Sequence, residues 1–128
     1  MYDLLLQSGR VIDPANQHDG IMDIAIKDGA IAAVGASIDA SDATNTQELS
    51  DCVLTPGLID LHTHVYWAGT SIGVEPTLYA HQAGTTTLID AGTAGAANFL
   101  GFRKHVIEQA QPRILAFLNI SFPGIYAF

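Results

Sequence analysis

The chain has 128 residues, 48% of them apolar and 14% charged, which is enough to bury an ordinary core, too short for more than one domain of typical length, and not the composition of a disordered polypeptide. Thirteen acids against five Lys and Arg give a formal charge of −8, which argues against nucleic acid and against an anionic membrane surface as partners. The charge is uneven: residues 1–60 hold ten acids and two bases, and residues 61–128 hold three of each, as if two segments were built for different tasks.

The N-terminus, Met1 to Arg10, carries an acid where a signal peptide needs a basic region, and no stretch approaches the ~18 apolar residues of a membrane span. Asp3 to Val11 predicts a strand interrupted by the turn signal Ser8-Gly9, followed by a loop at Asp13-Pro14-Ala15-Asn16, and His18, beside Asp19-Gly20, reads as a loop residue. Ile21 to Lys27 and Ile31 to Val34 read as two strands joined at Asp28-Gly29, a pair that tolerates the positive φ angles of a type I′ hairpin turn. Residues 39–47 are polar and without periodicity, which predicts a surface connection before a short strand, Cys52 to Leu54. Cys52 is the sole cysteine and cannot form an intramolecular disulfide, so cytoplasm is the expected compartment.

After Pro56-Gly57 the pattern changes to alternation of strand and helix. Leu58 to Val65 predicts a strand. Glu75 to Gly84 predicts a helix, with Pro76 in its first turn and Gly84 stopping it. Thr85 to Asp90 is β-rich in composition. Phe99, Phe102, Val106 and Ala110 recur at helical spacing and predict an amphipathic helix over 96–110, ended by Pro112 and followed by a strand from Ile114 to Ile120. This order is that of a parallel α/β fold.

The densest chemistry is Pro56-Gly57-Leu58-Ile59-Asp60-Leu61-His62-Thr63-His64. Strict alternation along a strand places Asp60, His62 and His64 on one face. Two imidazoles held that way can direct ring nitrogens at one metal ion, zinc or a neighbouring transition metal, with Asp60 orienting a ligand or lying near the metal. The plainer reading is two histidines at a strand end. The apolar remainder of the strand, and the position of the pair at the C-terminal edge where parallel α/β folds bind ligands, favour the metal.

The run Gly57 to His64, preceded by Asp51 to Pro56 and by Lys27 to Gly35, resembles the opening of the amidohydrolase superfamily. Gly84 to Gly92 is similar to the second barrel strand of that group. Asp90 to Phe99, with Phe102-Arg103 and Leu118 to Ser121, is similar to its deacetylase branch, grouped with dihydroorotase-like enzymes. The resemblance implies an α/β fold: residues 1–55 as part of a small β-sandwich, and residues 56–128 as the first three strands of an incomplete (β/α)8 barrel. It implies a zinc-dependent hydrolase of a small-molecule amide or ester, with a metal-bound hydroxide as nucleophile and two zinc ions, or other divalent transition metals, in the complete site. His62 and His64 then bind the more buried metal, and Asp60 is at most a supporting residue. The bridging Lys, two further His and the catalytic Asp of the family have no counterpart here, since Lys27, Lys104 and Asp90 are misplaced for those roles. The chain itself is therefore expected to be an inactive N-terminal portion.

Alternatives are a cyclic-amide hydrolase of the dihydroorotase or hydantoinase kind, or a non-catalytic metal-binding α/β module; a homo-oligomer is left open. His81 and His105 read as exposed or half-buried helix residues. Tyr66, Trp67 and the loop Gly69 to Gly73 read equally as substrate contacts or as packing. Gly92-Thr93-Ala94-Gly95 reads as a tight turn ahead of an anion-binding loop, and Arg113 as a strand-start residue.

Overall fold

The structure, a computed structural model, describes residues 1–125 and divides into two compact units, residues 1–56 and the chain from Gly57 onward. The segment expected over 56–128 thus extends by three residues beyond those described.

In the first unit, β1 (Tyr2–Asp13) is the central strand. It pairs antiparallel with β2 (His18–Lys27), which pairs antiparallel with β3 (Ala30–Gly35). Asp28 and Gly29 take φ of 52° and 75°, the two left-handed residues a type I′ turn requires. On its other edge β1 pairs in parallel with β4 (Ala43–Glu48) and then with β5 (Val53–Leu54). Leu5, Val11 and Ala25 are buried.

Four expectations change here. Ser8-Gly9 does not interrupt the first strand: the register shifts between Leu6 and Gly9, and Ser8 takes φ of 62°, so the chain bulges and continues. His18 lies not in a loop but opposite Asp13 at the start of β2. Within the polar stretch 39–47, Ala43 onward forms β4; Thr44 to Glu48 are exposed, and a strand without a buried face has no apolar alternation to reveal it. The strand expected from Cys52 begins at Val53.

The second unit is α/β. It holds a parallel sheet in the order β6 (Leu58–Thr63), β7 (Thr85–Asp90), β8 (Arg113–Ala116). The β6–β7 crossover contains α1 (Pro76–Ala83). The Glu75 carboxylate accepts the Thr77 and Leu78 N–H groups at its start, and Gly84, at φ 65°, ends it. The β7–β8 crossover holds α2 (Phe99–Phe102), which runs into a π-helical turn, Arg103–Ile107. The helix expected over 96–110 is therefore shorter and widened at its end: Glu108 N–H donates to the carbonyl of Arg103, five residues back, at 2.9 Å. Phe102 and Val106 still point inward, joining Val65, Leu88, Ala94 and Ile114 in the core, with Tyr79 packed against it.

The third strand also ends early. Opposite it the chain leaves β7 through Gly92 at φ 89°, so the ladder stops at Ala116 and resumes only as a bridge between Gly95 and Asn119. One face of this sheet is covered by the core just described. The other carries Ile59, Leu61, Leu115 and Phe117, all exposed, Leu61 by 73%. Among the described residues no helix is long and apolar enough to cross a membrane.

Candidate metal centre

Parallel pairing puts the C-terminal ends of β6, β7 and β8 on one edge, and the histidine pair lies there. The register of β6 decides which way its side chains face. Asp60 is opposite Leu88 and Thr63 opposite Asp90, so three steps on β6 match two on β7 and one residue is extra. Asp60 and Thr63 thereby share the face of buried Leu88 and Asp90, while His62 falls on the opposite, exposed side. The expectation that Asp60, His62 and His64 line one face is corrected by this bulge, because an extra residue inverts the period-2 alternation.

Asp60 takes a different place. Its carboxylate accepts the Tyr79 hydroxyl of α1 at 2.5 Å and the backbone N–H of His62 at 3.0 Å. The Tyr79 hydrogen bond, followed by the His62 N–H and the nearby imidazole, holds its carboxyl below the usual aspartate range. The same hydrogen bond pushes the Tyr79 phenol up. Asp60 thus braces the backbone at His62, and no hydrogen bond to an imidazole nitrogen is made by it.

His64 is held by its ring. Nδ1 lies 2.9 Å from the Thr93 hydroxyl, whose Oγ1 is 2.7 Å from Asp90 Oδ2. Asp90 and Thr93 are completely buried. The Asp90 carboxylate also accepts N–H groups from Gly92 at 3.1 Å, Thr93 at 2.7 Å and Val65 at 2.8 Å. The Val65 bond, with Ala91 N–H to the Thr63 carbonyl and Val74 N–H to that of His64, fixes the backbone on both sides of His64. Neither Asp90 nor Thr93 is apparent as a site residue in the sequence. The available signal is local: Asp90-Ala91-Gly92-Thr93 is an Asx-turn sequence, in which an aspartate accepts N–H groups two and three residues on.

The rings of His62 and His64 lie edge to face, 5.4 Å apart between centroids at 81°. Two imidazoles sharing a tetrahedral zinc at Zn–N of about 2.0–2.1 Å have centroids on the order of 5 Å apart, a spacing that the pair matches. It supplies two donors only: among the described residues no group of three or more His, Cys, Asp and Glu side chains could hold a metal.

The other candidates lie elsewhere. His81 is exposed and pairs with Gln111 at 3.0 Å, and His105 is exposed on the π turn. Tyr66 stacks on Phe102 with centroids 4.7 Å apart, a packing role, and Trp67 is exposed. Gly69 and Gly73 pack so closely on Tyr66 that neither has room for a Cβ. Within Gly92 to Gly95, the Gly92 and Thr93 N–H groups are taken by Asp90 and that of Gly95 by the Asn98 side chain, which favours the tight turn over an anion site. Arg113, Lys104 and Lys27 are exposed.

No protein-family model matches the chain. It is 44% identical over 100 residues to a deacetylase of Agrobacterium fabrum, covering 78% of this chain and 25% of that one. With a deacetylase of Brucella anthropi it is 42% identical over 110 residues, covering 85% and 27%. A crystal structure of a dihydroorotase superposes with a TM-score of 0.81 at 37% identity, covering 99% of this chain and 33% of that one. The chain thus spans about a quarter of the length of the curated relatives it matches. Its sequence and its fold agree on one assignment: the chain belongs to the amidohydrolase superfamily, among the deacetylases and dihydroorotase-like enzymes.

Proposed function

We propose that His62 and His64 are two of the metal ligands of a zinc-dependent hydrolase acting on an amide or ester bond of a small molecule, and that residues 1–128 contribute the metal-anchoring portion of a larger site. The observation that carries this reading is the imidazole pair, 5.4 Å apart at the ligand-binding edge of a parallel sheet. Zinc bound there would acidify a water molecule and polarise the scissile carbonyl. The chain's own work is to present two neutral imidazoles: Asp90 and Thr93 hold the His64 ring, and Asp60 braces the backbone of His62.

The remaining ligands and the proton-handling carboxylate come from further strands of a (β/α)8 barrel that begins with β6, β7 and β8, after a small β-sandwich portion. Parallel sheets are covered on both faces, and the bare apolar face of Ile59, Leu61, Leu115 and Phe117 supports that reading. The similarity to a dihydroorotase favours a cyclic amide as a second substrate class.

Isothermal titration with zinc tests the metal assignment. Binding is expected, and it should be lost in the double variant His62→Ala/His64→Ala; undiminished binding in that variant overturns the assignment. The 128-residue chain is expected to hydrolyse N-acyl amides and esters no faster than background, and turnover at an enzyme-like rate would refute the divided site.

A further inference from the structure

We propose that Thr93 is a positioning residue that sets the tautomer of His64, placing the ring proton on Nδ1 and leaving the Nε2 lone pair free. The proposal rests on reading His64 as a metal ligand for its purpose, though not for its geometry.

A threonine hydroxyl has one hydrogen to give. Thr93 Oγ1 stands 2.7 Å from Asp90 Oδ2 and 2.9 Å from His64 Nδ1, so it must donate to one and accept from the other. Asp90 Oδ2 is the carboxylate oxygen that already takes the Val65 N–H, and it can only accept. Were the hydroxyl hydrogen turned to Nδ1, two oxygen lone pairs would face each other at 2.7 Å between groups that no water reaches. The hydrogen therefore belongs to the charged partner, where the bond is stronger. Oγ1 is left to accept, and Nδ1 is left to donate. The buried carboxylate thereby acts on the imidazole through a hydroxyl, fixing ring orientation and tautomer, as partners of metal-bound histidines do when they bond directly.

The test is nitrogen NMR of the metal-free protein with ring-labelled histidine, at a pH where the ring is neutral. The chain has five histidines, and the His64 signals are assigned by their loss in His64→Gln. The expected spectrum has the His64 proton on Nδ1, and a proton on Nε2 overturns the proposal outright. Thr93→Val keeps the shape and removes the hydroxyl; it should release the tautomer preference and weaken zinc binding about 10–100-fold, whereas Thr93→Ser should retain both. An unchanged tautomer in a folded Thr93→Val protein also overturns the proposal. If Thr93→Val does not fold, the wild-type spectrum alone still decides. Should zinc fail to bind while the metal-free spectrum shows Nδ1–H, the metal assignment falls and the Thr93 device stands.

Discussion

Each unit of this chain has a buried aspartate that gathers backbone N–H groups, and the two are used differently. In the first unit Asp23 accepts from Ser8 at 2.9 Å and from Ile38 at 2.8 Å, closing the β1 bulge and tying down the chain beyond β3. In the second, Asp90 accepts three N–H groups and one hydroxyl, and that hydroxyl reaches an imidazole. The chemistry of burial is the same in both: a carboxylate leaves water only when its lone pairs are met by donors. What separates a structural hub from one that serves a site is a single side-chain link carrying its influence onward, here Thr93.

The largest effect should come from Asp90→Ala. It strands four donors in a dry environment, and at 1–3 kcal/mol for each group left unmet the loss is on the order of 4 kcal/mol in urea unfolding. Asp23→Ala strands two and should cost about 2 kcal/mol. If the order of these two is reversed, donor number is not what sets the worth of a buried carboxylate here. The pair also differs in function: zinc affinity is expected to fall in Asp90→Ala and to be unchanged in Asp23→Ala, and a drop in both breaks the distinction.

A smaller effect is expected from Tyr79→Phe. It removes the hydroxyl from Asp60 and should cost about 1 kcal/mol by thermal or urea unfolding. The smallest concerns acid. Asp13 is held below the usual aspartate range chiefly by Asn16, Asp39 by Ser41, and Glu48 below the glutamate range by Ser50 and then Ser8. A carboxyl whose folded pKa is depressed adds stability that is complete above its unfolded pKa and disappears as pH falls through the folded one. A urea series from pH 7 downward should therefore show the first unit losing a little stability once pH drops below the ordinary carboxylate range. Asp39 and Glu48 are exposed and Asp13 is half-buried, so added salt should shrink the effect.

The elements readable from sequence were those with a chemical or periodic signature. Asp28-Gly29 specified its hairpin turn, Glu75-Pro76 and Gly84 bracketed α1, and Phe102 and Val106 marked the inward side of the second crossover. β4 escaped because Thr44, Asn45, Thr46 and Gln47 have no buried face to imprint a pattern. The π turn escaped because a four-residue gap from Phe102 to Val106 is compatible with either helix. His62 and His64 stood out as a pair, yet the direction of their neighbours did not. Alternation presumes an unbroken pleat, and the extra residue between Asp60 and Thr63 can be seen only from the partner strand. The Asp90–Thr93–His64 connection joins residues 26 to 29 positions apart, a distance that local pattern cannot bridge.

The extra residue in β6 bears on any attempt to transplant this motif. Laid onto a regular strand with Asp60 kept towards the helices, the same six letters from Ile59 to His64 would turn both imidazoles inward beside Leu88, into a compartment without water. A grafted His-x-His pair must bring the bulge with it.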